Sequence, residues 1–444
     1  MSDALPLPPR PNLEQYKKLA KDFQSACKSG EPGAIRNWAT RWTETIARLQ
    51  GLEITLETRR QIDAEAERIE QRWHKFKVSN QRAGRCLLAD AQFFVARGHG
   101  FASWPKLVKH IESLACINSP VANFEAAVDA IITGNKSTLK KLLQDNPELV
   151  HARSTREHRS TLLHYVSANG VEDFRQKTPS NIVDITKMLL EAGADVNAES
   201  DAYGGRSTTL GLTATSCHPE NAGVQLALMQ LLIDHGAIID GPDSGSAIVG
   251  CLHNGRRQAA EFFASRGAHL DLEGAAGVGR LEVVQSFFND DGSLKPPATQ
   301  KQMTGGFAWA CEFGRTSVAE FLLQRGMKVE AKLSDGGETG LHWAAISGHV
   351  ETVTLLLERG APVDVKDERY GGTPLDWALY GWGNLPERAD RTHYYKLMAL
   401  LARAGAKLDP RQWHDPKEDR PGMLAKIRSD PRMLAALGGE LPSD

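Results

Sequence analysis

Apolar residues recur along most of this chain at the three- and four-residue spacing that places them on one face of an α-helix. The first such helix is predicted between Asn12, which suits a helix N-cap, and Gly30, which suits a helix end. Its apolar face holds Tyr16, Leu19 and Phe23. More segments of this kind follow before residue 116, so the N-terminal region is predicted to be a small helical domain.

A seam in the third of these helices alternates steps of four and three residues. Its members are Ile62, Ala66, Ile69, Trp73 and Phe76. Two explanations fit such a seam: packing inside a helical bundle, or pairing with another chain as a coiled coil. The seam sustains too few heptads for a stable coiled coil, which favours packing inside the bundle.

Beyond the N-terminal region the pattern repeats over a longer interval. Trp309, Trp343 and Trp377 recur at one fixed interval, and each begins the same order of a short helix, a turn, a second helix and a glycine. Two short amphipathic helices cannot bury their apolar faces alone, but stacked copies can, which makes a solenoid. Since the three tryptophans occupy one position of the first helix, we expect them to form a packed ladder in the core.

The sequences TGLHWAA at residues 339–345 and TPLDWA at residues 373–378 resemble the T-P-L-H-x-A signature of ankyrin repeats. EAGADVNA at residues 191–198 resembles the ending of the same repeat. Weaker copies of the frame give about eight repeats. The order of the chain also resembles bacterial ankyrin proteins with a helical N-terminal extension. The resemblance implies an all-α fold, an ankyrin-repeat solenoid of stacked helix pairs with short β-hairpin loops.

The predicted organisation has four parts: a flexible N-terminus over residues 1–11, a helical domain over residues 12–116, the solenoid over residues 121–409, and a C-terminal cap and tail over residues 410–444. Inserts interrupt the repeat frame at residues 171–181, 218–223 and 383–394. Insertions at one position of a repeat emerge on one edge of a solenoid. They form either part of a binding edge or plain surface loops.

The charge of the chain is close to neutral, a formal −2, so its composition shows no bias toward a nucleic-acid or membrane partner, and we predict neither. The first 120 residues nevertheless carry 19 Lys or Arg against 13 Asp or Glu, either an anion-binding surface or a plain solvated one. The six cysteines include no Cys-x-x-Cys pair, and neither a membrane span nor a signal peptide is evident. These features predict a cytoplasmic protein with reduced thiols.

The sequence lacks the common motifs for catalysis or cofactor binding: Gly-x-Gly-x-x-Gly after a strand, a phosphate-binding loop, His-Glu-x-x-His and Gly-x-Ser-x-Gly. His342 and His349 look like metal ligands, but the ankyrin resemblance implies that they bond the hairpin loops. Cys251 and His253 share a helix without a visible carboxylate to orient a catalytic pair. We therefore expect no catalytic residue, no metal and no cofactor.

The ankyrin resemblance places the variable, partner-binding positions on the concave side, at the hairpin tips and at the end of each first helix. In the last three repeats these positions are Glu312, Phe313, Ile346, Ser347, Arg369, Tyr370, Tyr380 and Trp382. Tyr, Trp and Arg dominate protein-binding hot spots. We therefore predict a non-catalytic scaffold or adaptor that binds a protein of unknown identity. The alternative is an enzyme or small-molecule binder with a pocket between the N-terminal domain and the inserts at residues 171–181 and 218–223.

Overall fold

The computed structural model describes residues 4–8, 11–49, 51–79, 86–116, 118–241, 246–386, 389–409 and 421–441. These residues form two compact units, Met1–Gly241 and Pro242–Asp444. The first unit joins the predicted N-terminal helices to the segment predicted to hold the first repeats, whereas the sequence predicts a border near residue 116. The predicted flexible N-terminus and C-terminal tail lie partly outside the described residues.

Among the described residues up to 116, five helices form the N-terminal part of the first unit. They are α1 (Leu13–Ser29), α2 (Ala34–Leu49), α3 (Leu56–Ser79), α4 (Leu88–Gly98) and α5 (Trp104–Ala115). Asn12 caps α1 by accepting a hydrogen bond from the Glu14 backbone N–H at 2.9 Å, and Gly30 ends the helix at a φ of 69°. Both ends of α1 therefore lie where the sequence predicted them.

The seam of α3 packs inside this bundle, as predicted. Ile62, Ile69 and Trp73 are buried in one core with residues of α1, α2 and α4. The Phe23 ring of α1 contacts the Trp73 ring edge-on, with ring centroids 4.8 Å apart. Leu5 also lies in this core, and its backbone N–H bonds the Gly98 carbonyl at 2.7 Å, a contact that the sequence pattern did not predict.

Shorter elements complete the first unit. The helices are α6 (Pro120–Thr133), α7 (Lys136–Asp145), α8 (Ile182–Glu191), α9 (Thr209–Thr215), α10 (Cys217–Asn221) and α11 (Gln225–Asp234). Within described residues 118–241, 3-10 helices span Pro147–His151, Leu162–Ser167, Asp173–Arg175 and Ala202–Gly204. Strands β1 (Glu199–Ser200) and β2 (Ser207–Thr208) pair antiparallel, with Glu199 opposite Thr208. This pairing forms a β-hairpin loop between α8 and α9.

The second unit repeats one motif, a first helix joined by a turn to a second helix. The pairs within its described residues are α12 (Ala247–His253) with α13 (Arg257–Ser265), α14 (Leu272–Gly277) with α15 (Leu281–Ser286), α16 (Gln300–Glu312) with α17 (Thr316–Gln324), α18 (Gly340–Ile346) with α19 (Val350–Glu358), and α20 (Pro374–Asn384) with α21 (Thr392–Arg403). First helices pack on first helices, as α14, α16, α18 and α20 do in turn, and second helices pack on second helices.

The spacing of apolar residues explains this stacking. In α18, Leu341, Ala344 and Ala345 occupy one helical face, and all three are fully buried. The second helices end alike: Gly326 and Gly360 take left-handed backbone angles, with φ of 95° and 81°. This conformation favours glycine and closes the helix, which ends where the sequence predicted.

Two further helices, α22 (Pro421–Ser429) and α23 (Pro431–Leu437), follow the last pair. Asp430 caps α23 and accepts a hydrogen bond from the Tyr395 hydroxyl of α21 at 2.6 Å. Met433 and Ala436 are buried in the core of the second unit. Residues 410–420 and 442–444 of the predicted cap and tail lie outside the described residues. Across the described ranges, no helix combines the length and apolar character needed to span a membrane.

Candidate functional site

The tryptophan ladder is half-buried, which corrects the predicted core position. Trp309, Trp343 and Trp377 are all partly exposed to solvent. The helical period gives the reason, because the core face of α18 holds Leu341 and Ala344, and Trp343 lies off that face. The same offset places Trp309 and Trp377 on the corresponding face of their helices. The fixed interval between the tryptophans therefore marks a shared position at the edge of the core, where Trp343 packs against the core while part of its ring stays exposed.

These rings contact aromatic neighbours along the first helices. The Trp343 and Trp377 rings meet edge to face, with centroids 5.2 Å apart and an interplanar angle of 83°. Trp309 stacks on Phe313 at 5.9 Å and meets the His253 ring edge-on at 4.9 Å. We call Trp309, Phe313, Trp343 and Trp377 the aromatic row. Partly exposed aromatic rings keep some apolar area available for contact with another molecule.

A carboxylate that the sequence analysis missed organises the hairpin tip beside the row. Asp367 Oδ1 accepts the backbone N–H groups of Arg369 and Tyr370 at 2.9 and 2.6 Å. Its Oδ2 accepts the Gly372 backbone N–H at 2.8 Å and the Trp377 indole N–H at 3.0 Å. Burial raises the pKa of Asp367, but these hydrogen bonds outweigh burial and hold the pKa below its usual range. An aspartate before a Gly-containing turn is a signal for such bonding.

Two further carboxylates lie on the first helices beside the row. Glu273 accepts the Trp309 indole N–H at 2.9 Å and lies 3.9 Å from His253 Nε2. Glu312, at the end of α16, is half-buried, and burial raises the pKa of its carboxyl to about 7. Glu312 is among the predicted binding residues, whereas Glu273 is not, because only the folded repeats bring Glu273 to Trp309.

The predicted partner-binding residues differ widely in exposure. Tyr370 and Tyr380 leave 64% and 54% of their surface exposed. Arg369 is exposed, and its guanidinium lies over the Tyr370 ring at 6.0 Å. The remaining residues at half-buried positions are Glu312, Phe313, Ile346 and Ser347. These seven residues lie on the first helices, at their C-terminal ends or at the hairpin tip, and Phe313 also belongs to the aromatic row.

Trp382 is the exception, and its predicted position on the binding surface is wrong. Only 4% of its surface is exposed. α18 ends before Gly348, whereas α20 carries Trp382 at the equivalent place and continues to Asn384. The continued helix puts Trp382 on the same face as Leu375 and Leu379, which are also buried. Trp382 therefore belongs to the core.

The histidines of the repeat signature have structural roles, but only His342 bonds a hairpin loop as the resemblance implied, whereas His349 bonds the end of α16. His342 Nδ1 accepts the Thr339 backbone N–H at 3.1 Å, and its Nε2 bonds the Gly372 carbonyl of the next hairpin at 3.2 Å. His349 Nε2 bonds the Glu312 carbonyl at 2.9 Å. Burial lowers the pKa of both rings, so both are neutral near pH 7. Both histidines therefore connect neighbouring repeats.

The pair of Cys251 and His253 does not form a nucleophilic site. Cys251 is fully buried, and burial raises the pKa of its thiol to about 12, so the thiolate is not formed near neutral pH. His253 instead points to Trp309 and Glu273. In the part of the chain that the structure describes, no group of three or more His, Cys, Asp or Glu side chains is placed to hold a metal ion.

A buried ionic cluster in the first unit was not predicted from the sequence. The Arg156 guanidinium pairs with Glu172, and both side chains are almost fully buried. Arg175 pairs with Glu125 at 2.5 Å and with Asp129 at 3.0 Å. Burial raises the pKa of Glu172, but the neighbouring arginines and His158 outweigh it and hold the pKa well below its usual range. The insert at residues 171–181 thus places two of its charged residues in the interior.

The second unit contains the part of the chain that matches a known family. A family model described as "Ankyrin repeats (3 copies)" matches residues 272–367 and 307–409. One similar solved structure is the crystal structure of the human ASB11 ankyrin repeat domain. It is 21% identical, covers 65% of this chain and 99% of its own chain, and has a TM-score of 0.32. A search of curated proteins finds no match to this chain. The family match and the stacked helix pairs confirm the predicted all-α ankyrin-repeat fold.

Proposed function

We propose, from the ankyrin repeats at residues 272–409 and the aromatic row that they carry, that this protein is a non-catalytic scaffold in the cytoplasm. It binds a protein partner through the exposed face of its first helices. The observation that carries the proposal is the half-burial of Trp309, Trp343 and Trp377 beside the exposed Tyr370. Ankyrin repeats generally mediate protein–protein interactions.

The chemistry of this face suits a protein interface. Binding energy concentrates on Trp, Tyr and Arg side chains near the centre of an interface. The proposed surface contains the aromatic row together with Glu312, Ile346, Ser347, Arg369, Tyr370 and Tyr380. Several of these side chains are already held by hydrogen bonds or ring contacts, so little side-chain entropy is lost when a partner binds. Trp382 is left out because it is buried.

The test begins with a partner captured from an extract of the source cell and then purified. Its dissociation constant for the wild type is compared with that for the double variant Tyr370→Ala, Tyr380→Ala. We expect the double variant to weaken binding by at least about 2 kcal/mol, roughly thirtyfold, because both tyrosines are exposed anchors. Its melting temperature should remain close to that of the wild type.

The matched control is Tyr203→Ala. Tyr203 is as exposed as Tyr370, at 64%, but lies in the hairpin of the first unit. The control should bind like the wild type. A partner that tolerates the double variant and is lost with Tyr203→Ala would move the binding site to the first unit.

A cavity in the first unit favours a second candidate function, small-molecule binding. It has a volume of about 320 Å³ and lies between the N-terminal helices and the side chains of Asp173 and Phe174 in the insert at residues 171–181. Its size is at the lower end of the range for ligand pockets. A screen of metabolites by thermal shift tests this function. A compound that raises the melting temperature of the wild type but not of Phe174→Ala would support it.

A further inference from the structure

The carboxylate of Glu312 differs from the other carboxylates of the first helices. Glu273 accepts an indole N–H, and Asp376 accepts the Thr373 backbone N–H at 2.9 Å and its hydroxyl at 2.8 Å. Across the described ranges, Glu312 has no hydrogen bond or ion pair to its side chain. A half-buried carboxylate without a partner is unfavourable in the free protein.

Cationic side chains near Glu312 are already engaged. The Arg315 guanidinium bonds Glu261 and donates to the Gly277 carbonyl at 3.2 Å. His349 donates to the backbone carbonyl of Glu312 rather than to its carboxylate, and its ring is neutral near pH 7. Neither residue therefore pairs with the Glu312 carboxylate, which a cation of another molecule can pair with.

Aromatic rings of the row flank the same position. Trp309 precedes Glu312 by about one helical turn, which places both on neighbouring parts of one helical face. Phe313 follows Glu312 directly and stacks on Trp309, with ring planes 13° apart. The faces of such rings attract cations, most strongly where solvent is excluded.

Building on the proposed function, we infer that the protein partner places a Lys or Arg side chain against the Glu312 carboxylate, beside the rings of Trp309 and Phe313. The pairing gives a charge-assisted hydrogen bond together with cation–π contact. An acidic residue at this place would be repelled by Glu312 and by Glu273. The partner segment therefore combines one basic residue with apolar residues that cover Trp343.

The experiment uses the purified full-length chain as the target of a phage-displayed library of random dodecapeptides. Peptides that bind the wild type but not Trp343→Ala are synthesised, and their dissociation constants are measured by titration calorimetry. We expect these peptides to share a Lys or Arg whose replacement by Gln weakens wild-type binding at least about tenfold, as loss of a charge-assisted bond does. The same replacement should change binding to Glu312→Gln less than about twofold, because the partner of the cation is already gone.

Glu330→Gln is the matched control, since Glu330 is an exposed carboxylate outside the row. It should bind each peptide like the wild type. Two outcomes overturn the inference and leave the proposed function standing. In the first, the peptides depend on the aromatic row but lack a basic residue. In the second, replacing the basic residue weakens binding to the wild type and to Glu312→Gln by the same factor. Selection of no peptide that depends on Trp343 counts against both the inference and the proposed function.

Discussion

Glu312 makes the stability of the folded chain depend on pH. Burial raises the pKa of its carboxyl to about 7 from an ordinary value of 4.5. A carboxyl with a raised pKa favours the folded state while it is protonated. This contribution is fully present below about pH 4.5 and is lost as the pH rises through 7. Above that pH the folded chain holds a half-buried charge that a bound cation would compensate.

We expect Glu312→Gln to raise the free energy of unfolding by about 1–2 kcal/mol at pH 8 and by much less at pH 4.5. The full pKa shift corresponds to a larger free energy than this. The expected gain is smaller because solvent screens a partly exposed group. Urea unfolding followed by circular dichroism at both pH values measures the difference. Glu330→Gln should change neither value. If Glu312→Gln raises the free energy of unfolding equally at the two pH values, ionisation of Glu312 is not the cause of the increase.

Glu172 illustrates a charge that is stable only because it is paired. Its replacement by Gln leaves the buried guanidiniums of Arg156 and Arg175 without their shared partner. We expect Glu172→Gln to lower the free energy of unfolding by about 3–5 kcal/mol, the usual cost of breaking a buried ion pair. Chemical denaturation provides the measurement. The control Glu191→Gln breaks an exposed pair with Lys187 and should cost about 0.5 kcal/mol or less.

The role of a single residue was predictable from the sequence where its hydrogen-bond partner is close along the chain or is fixed by the repeat. Asn12 caps the helix that it precedes, and His342 bonds the backbone of Thr339 in the preceding turn. The partner of Glu172 could not be predicted in this way. Arg156 belongs to a different loop, so only tertiary packing brings the two side chains together.

At the level of helices, position within the helical period decides which tryptophans are buried. A fixed interval shows that Trp309, Trp343 and Trp377 are equivalent, but equivalence does not show which face they occupy. The face that they occupy follows from their angular distance to the buried apolar face of the helix. In α18, Leu341 and Ala344 mark that buried face. Trp382 was misplaced for the opposite reason, because α20 continues past the residue at which α18 ends.

The burial of Trp382 leads to a prediction about α20. We expect Trp382→Ala to lower the free energy of unfolding by about 3–5 kcal/mol, since truncating a buried aromatic ring leaves a cavity in the core. Trp343→Ala should cost only about 1–2 kcal/mol, because its indole already contacts solvent and less apolar area is lost. Urea denaturation of the two variants measures the difference. Equal costs would show that the exposures of the two rings do not differ in solution.

At the level of the whole molecule, the two compact units suggest where the chain divides. The repeat period was readable from the sequence, but the attachment of the N-terminal helices to the first repeats was not. Arg156 donates a hydrogen bond to the His99 carbonyl at 2.5 Å and lies over the Phe101 ring at 5.0 Å. These contacts join segments that are far apart along the chain. No periodic pattern in the sequence reports such contacts.

We expect fragments 1–241 and 242–444 to be soluble and to unfold cooperatively, because each holds its own buried core. Fragment 121–444 should be less stable, since Arg156 and its cluster lose His99 and Phe101. Size-exclusion chromatography and thermal melts of the three fragments measure this. If fragment 121–444 stays monomeric and melts with the full-length chain, the predicted border near residue 116 is the better description.

The four hydrogen bonds to Asp367 have a kinetic consequence. Two of them hold the backbone N–H groups of Arg369 and Tyr370 in one arrangement before any partner arrives. If the tip binds a partner as proposed, its binding conformation is then the dominant one in the free protein, and apparent affinity is not reduced by a minor population. Association would proceed by rigid docking, and differences in affinity among related partners would reside mainly in their dissociation rates.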